Sequence, residues 1–232
     1  QNVRKAIEMG IDKEGFCSVI MDGRGIPAKG AFPSSFSYGN DAVETVSYDP
    51  EEAKKLLKES GWTDTDGDGY VDKDGQKLTI NWLTYPTRLE QPKLAEYAQA
   101  TLKDIGIDVS VNNTSDHRTY AENGDFDVYV SSLTTAPTGD PEYFFSSTVT
   151  GAKNYGNYQN DEVTKLTEQL HQTFDTDERG KLAVELQQKI LDDDAYFFVS
   201  HLNMGIVTKS NVTGMAAHPC DYYEITADLD VQ

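Results

Sequence analysis

The fold is decided by the central segment, residues 77–111, which reads KLTINWLTYPTRLEQPKLAEYAQATLKDIGIDVSV. Apolar and polar residues alternate over 77–84, which predicts a strand with one buried face. A helical pattern then runs over 92–105 and closes at Gly106, and residues 107–111 alternate again as a second strand. Strands that alternate with a helix in this way are typical of an open α/β layer rather than a β-sandwich.

The same alternation continues on both sides of this segment. Asp49 and Pro50 predict the start of a preceding helix, and Gly61 predicts its end. Further helices are predicted at residues 3–9, 12–21, 115–122, 141–146, 160–173 and 176–192. A strand is predicted at 126–131, a strand pair at 195–209, and a loop rich in Gly, Pro and Ser at 23–40. No repeat or low-complexity linker divides the sequence, so we predict one domain over 1–232, with 210–232 as a tail.

The composition excludes several classes of partner. The 232 residues include 20 Lys and Arg against 39 Asp and Glu, a formal net charge of −19. Such a surface repels phosphate backbones and anionic headgroups, so nucleic acid and membrane surfaces are poor partners. A surplus of acidic residues also keeps secreted proteins soluble, and this is the simpler interpretation. No apolar run reaches the roughly 20 residues that span a bilayer.

The sequence carries none of the common catalytic signatures, such as G-x-S-x-G, H-E-x-x-H or a P-loop. We therefore predict that the protein is not an enzyme and requires no cofactor. Four scattered histidines are interpreted as surface or packing residues rather than metal ligands: His117, His171, His201 and His218. Cys17 and Cys220 are expected to be unlinked thiols, with a disulfide in an oxidising compartment as the alternative.

The sharpest local pattern is DTDGDGYVD at residues 64–72. Its spacing resembles an EF-hand loop, with Gly69 at the sharp turn and Gly75 where the bidentate Glu would stand, which predicts weak affinity for Ca²⁺. The candidate calcium ligands are Asp64, Asp66, Asp68, Tyr70 and Asp72. The alternative is a solvated acidic turn that holds no ion.

A polar loop follows the strand predicted at 126–131 and precedes a helix that starts with Asp140 and Pro141. In open α/β sheets a ligand binds outside the carboxyl ends of the strands, so this loop is a predicted ligand site. The candidate ligand-binding residues are Tyr85, Arg88, Ser131, Ser132, Thr134, Thr135, Pro137, Asp140, Tyr222 and Thr226. For Asp140 the alternative is a pure helix cap.

Several motifs, in this order along the chain, resemble the peptide/nickel family of ABC-importer solute-binding proteins (extracellular family 5). They are VRKAI at 3–7, GIDKE at 10–14, YDPEEAKKLL at 48–57, DGDG at 66–69, GDP at 139–141 and NDEV at 160–163. The resemblance covers essentially the whole chain.

The resemblance implies a two-lobed protein that traps a solute between its lobes and delivers it to a membrane permease. This chain resembles the carboxy-terminal lobe, an α/β unit of the periplasmic-binding-protein type II class with an open mixed sheet flanked by helices. We expect a fragment of a larger protein, cut at a domain boundary because residue 1 already lies in a helical pattern. The whole protein would be an extracytoplasmic monomer, either a cell-surface lipoprotein or periplasmic.

The resemblance leaves two classes of cargo open, an oligopeptide and a nickel or other metal chelate. Peptide-binding relatives hold the ligand's amino group with an Asp just before the Asp-Pro pair, whereas residues 134–139 carry no carboxylate. Nickel-binding relatives carry a Trp and a His in this region, which are absent near Thr135 and Lys153. A metal chelate is slightly favoured. The alternative function is a secreted calcium-binding or accessory module that uses residues 64–72.

Overall fold

The computed structural model describes residues 1–217 and 225–232. Its α-helices are α1 Asn2–Met9, α2 Lys13–Gly15, α3 Pro50–Glu59, α4 Glu90–Lys103, α5 His117–Asn123, α6 Glu142–Phe144, α7 Asp161–Gln172 and α8 Thr176–Asp192. Its strands are β1 Gly25–Pro27, β2 Asp72–Lys73, β3 Gln76–Lys77, β4 Thr79–Thr84, β5 Asp108–Asn113, β6 Val128–Tyr129, β7 Ser200–Leu202, β8 Val212–Thr213 and β9 Asp230–Val231. Short π-helices, Phe16–Ile20 and Phe145–Val149, extend α2 and α6, and a 3₁₀ turn covers Asn40–Ala42.

The central sheet has three parallel strands in the order β5-β4-β6. Ile80 lies opposite Val109, and Trp82 lies opposite both Val111 and Val128. The α/β class predicted from the sequence is confirmed. Within the described ranges, antiparallel strands form three separate two-stranded sheets, β1-β7, β2-β3 and β8-β9, and an isolated antiparallel bridge joins Thr63 to Asp72.

One hydrophobic core lies between the central sheet and helices α1, α3 and α4. Trp82 on β4 is fully buried at its centre, and α4 contributes Leu94, Ala98 and Leu102. These are the apolar positions that the sequence pattern assigned to the inner faces. This core fixes β4, and therefore fixes where its carboxyl end lies.

A second core is built from α7, α8 and aromatic residues far apart in sequence. Phe32 contacts Phe144 and Phe145, each at a ring-centroid separation of 5.9 Å. Leu170 from α7 and Leu186 from α8 complete its centre. The division of the chain into one lobe with a tail at 210–232 stays a prediction.

Predicted helix starts at Asp12 and Asp49 are confirmed. Asp12 Oδ1 accepts a hydrogen bond from the Gly15 amide at 2.8 Å, and Asp49 Oδ1 accepts one from the Glu52 amide at 2.9 Å. Each carboxylate satisfies an amide that has no partner inside its own helix.

Two sequence interpretations were wrong. Residues 195–209 do not form a hairpin, because β7 pairs instead with β1 inside the segment 23–40 that was predicted to be loop. Residues 196–199 are apolar at every position because Tyr196 and Phe198 pack on the second core while Phe197 and Val199 pack on the first. This apolar run therefore serves two cores rather than a hairpin.

None of the helices in the described part of the chain is both long and apolar enough to cross a membrane. Cys17 is buried, and burial raises the pKa of its thiol. Its predicted alternative partner, Cys220, lies outside the described residues.

Candidate functional site

The carboxyl ends of β4, β5 and β6 meet at one edge of the central sheet, as parallel strands require. Tyr85 directly follows β4, His117 opens α5 after β5, and Tyr129 ends β6. The rings of Tyr85 and His117 stack with centroids 4.2 Å apart and an angle of 23° between their planes. His117 Nδ1 lies 2.8 Å from the Tyr129 hydroxyl, and Tyr155 packs its edge against Tyr129. We name these four residues the sheet-edge cluster.

Polar groups from the loop after β6 attach to this cluster. The Ser132 amide donates to the Tyr85 hydroxyl at 3.1 Å. The Ser132 hydroxyl donates to Glu90 Oε1 at 3.0 Å and accepts a hydrogen bond from Gln91 Nε2. Tyr85 and Ser132, both predicted as ligand residues, therefore lie in one hydrogen-bonded group with the amino end of α4.

The environment favours the neutral form of the His117 imidazole. Burial lowers the pKa of His117, and the nearby Arg118 lowers it further, against an opposing effect of Asp116. Burial likewise raises the pKa of the Tyr129 phenol. His117 Nε2 has no hydrogen-bond partner within the described ranges, so the neutral ring is available to a bound molecule.

Residues 131–140, here named the ligand loop, are attached to the second core at their far end. The Thr135 hydroxyl donates to the Ala31 carbonyl at 2.9 Å, and the Tyr38 hydroxyl donates to the Gly139 carbonyl at 2.8 Å. Asp140 accepts hydrogen bonds from Arg179 and from the Glu142 amide. The exposed side chains of the ligand loop are Ser131, Leu133, Thr134 and Thr138.

The other predicted ligand residues are distributed differently. Arg88 is exposed in the turn before α4, and Pro137 is buried in the ligand loop. Thr226 lies in the tail before β9, where its hydroxyl accepts a hydrogen bond from the Asp228 amide at 3.3 Å. Tyr222 lies outside the described residues. Their contact with a ligand stays a prediction.

The sequence did not indicate Glu90, Gln91 or Tyr129 as candidate ligand-binding residues, and His117 was interpreted as a surface or packing residue. The strand-end rule that selected Tyr85 also applies to His117 and Tyr129, because both lie where a parallel strand ends. Glu90 and Gln91 carry no comparable signal, since only the fold brings the start of α4 to Ser132.

The acidic turn at 64–72 gathers three carboxylates. Oxygen atoms of Asp64, Asp66 and Asp72 lie within 4.8 Å of one another. Asp68 instead pairs with Lys77, whose ammonium also lies 4.2 Å from the centre of the Tyr70 ring. Of the predicted calcium ligands, Asp64, Asp66 and Asp72 therefore lie together, and binding of an ion there stays a prediction.

Comparison with known proteins shows which family this chain belongs to. The family of bacterial extracellular solute-binding proteins, family 5 (middle region), matches residues 1–156. This chain belongs to that family. The family 5 chain is 32% identical over 237 residues to the oligopeptide-binding protein AppA of Bacillus subtilis (strain 168), a match that covers 97% of this chain and 43% of AppA. It is 27% identical over 228 residues to the nickel-binding protein NikA of Staphylococcus aureus (strain NCTC 8325 / PS 47), covering 97% of this chain and 44% of NikA.

Solved structures agree with the fold of the family 5 chain. AppA from Bacillus subtilis in complex with a nonapeptide superposes with a TM-score of 0.79 at 28% identity, covering 94% of this chain and 45% of AppA. NikA from Staphylococcus aureus in complex with Ni(L-His)2 gives 0.81 at 26% identity, covering 100% and 48%. The periplasmic-binding-protein type II class is thereby confirmed.

The chain spans less than half the length of these relatives. Family 5 consists of substrate-binding transport proteins rather than enzymes. The comparisons give no support to the alternative of a calcium-binding module.

Proposed function

We propose that this chain is the carboxy-terminal lobe of an extracytoplasmic substrate-binding protein that delivers a small solute to an ABC permease. Residues of the sheet-edge cluster and the ligand loop would contact the solute on this side of the cleft. The protein would bind its cargo without transforming it and would need no resident cofactor.

The observation that carries the proposal is the sheet-edge cluster itself. Three parallel strands end together, and they bring the buried Tyr85 together with His117 and Tyr129 beside the polar group around Ser132. Aromatic walls with a few fixed hydrogen-bonding groups are the usual lining of a small-molecule site. The neutral imidazole of His117 can accept or donate one hydrogen bond, or donate its lone pair to a metal.

The proposed cargo is an oligopeptide or a metal chelate, and both classes occur among the relatives, as AppA and NikA. Both present planar polar groups that suit aromatic walls. His117 does not belong to any group of three side chains that could hold a metal within the described ranges. A metal ion bound through His117 would therefore bring its other ligands with it, as a chelate does.

The test is calorimetry on the full-length protein with two probes, a nonapeptide and nickel with L-histidine. We expect micromolar or tighter binding of one probe, weakened by His117→Ala and by Tyr85→Ala by about ten-fold each, the cost of removing one hydrogen bond or one ring contact. Tyr120→Ala is the matched control, because Tyr120 is an exposed aromatic residue on the same helix as His117.

The proposed function is overturned if the full-length protein binds neither probe and also binds no other peptide or nickel complex. Binding that is unaffected by both His117→Ala and Tyr85→Ala would place the cargo away from the sheet-edge cluster and so contradict the proposed site.

A further inference from the structure

Arg179 on α8 uses every hydrogen-bond donor of its guanidinium. Nε donates to Asp140 Oδ2 at 2.8 Å, and Nη2 donates to Asp140 Oδ1 at 2.6 Å and to Glu142 Oε2 at 3.0 Å. Nη1 donates to the carbonyls of Leu170 and Thr173 at 2.6 and 2.5 Å. A guanidinium has five N–H donors, so this one is completely satisfied. Only 14% of its side chain is exposed.

These five bonds join two parts of the chain that are distant in sequence. Leu170 and Thr173 lie at the carboxyl end of α7, where the Leu170 carbonyl also accepts a hydrogen bond from the Thr173 amide at 3.2 Å. Asp140 is the last residue of the ligand loop, and Glu142 opens α6 after Pro141. The bidentate contact with Asp140 fixes the direction of the loop as well as its distance, because two parallel N–H···O bonds define a plane.

The start of the loop is held separately by Ser132, whose amide donates to the Tyr85 hydroxyl and whose hydroxyl donates to Glu90 Oε1. The hydroxyls of Thr135 and Tyr38 each make one neutral hydrogen bond that holds the loop to the segment around Ala31. Charge-assisted bonds are about twice as strong as neutral ones. Arg179 therefore dominates the anchoring of the end of the loop, while Thr134 and Thr138 between the anchors stay exposed.

We infer that Arg179 is a positioning residue for solute binding, one that never touches the solute. It holds the ligand loop in the conformation that presents its exposed residues to the cleft. It does so by connecting the loop to helices α7 and α8. This inference rests on the proposed function for its effect on cargo. The positioning of the loop can be measured without cargo.

Lysine cannot replace Arg179 in this role. An ammonium is a point charge with three donors, so it cannot bind both oxygens of Asp140 and also the two carbonyls of α7. Arg179→Lys should therefore keep the charge but lose the orientation of the loop, which separates positioning from simple charge neutralisation.

The experiment uses the full-length protein with a nitroxide label at Thr138→Cys in a Cys220→Ser background, where Cys17 stays buried. In cargo-free protein we expect Arg179→Gln to make the label clearly more mobile, and Arg179→Lys to give an intermediate spectrum. Calorimetry without the label should show that Arg179→Gln weakens binding of the nonapeptide or nickel–histidine probe by at least about ten-fold, as small misplacements of binding groups do. Lys181→Gln is the matched control, because Lys181 lies on the same helix in an exposed pair with Glu178.

Label mobility in Arg179→Gln equal to that of wild type and of Lys181→Gln would overturn the inference. If wild type binds a probe, an unchanged dissociation constant in Arg179→Gln would also overturn the inference. If Arg179→Gln does not fold, Asp140→Asn breaks the same bidentate contact while leaving the α7 carbonyl bonds in place, and it must loosen the label. If wild type binds neither probe, the proposed function fails, whereas the label mobility still decides whether Arg179 positions the loop.

Discussion

Among single residues, Gln187 on α8 holds the segment that contains Ala31 and Tyr38 within the second core. It is 1% exposed, its Oε1 accepts a hydrogen bond from the Ala31 amide at 3.0 Å, and its Nε2 donates to the Tyr38 carbonyl at 2.7 Å. Gln187→Leu leaves both backbone groups buried without a partner, at about 1–3 kcal/mol for each such group. We expect urea unfolding to show a loss of about 3 kcal/mol. Gln169→Leu, at an exposed position on α7, should change stability by less than about 0.5 kcal/mol, and an equal loss there would contradict the explanation.

Two carboxyl groups around Arg179 make stability depend on pH. The pKa of Glu142 is lowered, chiefly by its hydrogen bond with His171. Burial raises the pKa of Asp140, but the bonds from Arg179 and from the Glu142 amide outweigh this effect and lower it overall. Folded pKa values below the unfolded ones mean stability that is fully present above the ordinary carboxyl range, about pH 4, and lost as the pH falls through the folded values.

The direction of these pKa shifts predicts how two substitutions change the melting temperature as the pH falls. Asp140→Asn and Glu142→Gln should lower the melting temperature at neutral pH, and the difference from wild type should shrink as the pH falls below about 4, where the wild-type carboxyls also become protonated. Lys181→Gln should give a difference from wild type with no such dependence. If the difference in melting temperature between Asp140→Asn and wild type grew as the pH fell, the lowered pKa of Asp140 would be contradicted.

At the scale of elements, the start of α7 is fixed by Asn160. Its Oδ1 accepts hydrogen bonds from the amides of Glu162 and Val163 at 2.9 and 3.2 Å, and its Nδ2 donates to Asp193 at 2.8 Å. Asn160→Ala removes the cap and the tie to the end of α8, so we expect a loss of about 1–2 kcal/mol in urea unfolding. Gln159→Ala alters the exposed residue just before the cap and should change little. Equal effects for both variants would mean that capping is not the cause.

Elements that depend on local signals were predictable from the sequence. Capped helices and strands with one apolar face, such as α3 and β4, carry their own start, end and inner face. The pairing of β1 with β7 could not be predicted, because Gly25–Pro27 is short and contains Gly and Pro, and its partner lies near the other end of the chain. The site divides in the same way: the strand-end rule found Tyr85 and Ser132, whereas the role of Arg179 follows only from tertiary packing.

At the scale of the whole molecule, the 232 residues supply only one wall of the proposed binding cleft. The chain covers 43% of AppA and 44% of NikA. The isolated chain should therefore bind the nonapeptide or nickel–histidine at least about a hundred-fold more weakly than the full-length protein, because the dissociation constant depends exponentially on the binding free energy that the second wall would supply. Calorimetry of the two proteins side by side makes the comparison. Equal dissociation constants would contradict a cleft that closes on cargo from two sides.

The pairing of β1 with β7 also determines when this lobe can fold during its synthesis. Gly25–Pro27 leaves the ribosome long before its partner Ser200–Leu202 and before the aromatic residues that pack on both cores, Tyr196 to Phe198. Closing so long a loop before its contacts form is slow. This lobe therefore stays incompletely folded until residues 196–202 have been synthesised, and a product truncated before residue 196 lacks the segment that packs on both cores.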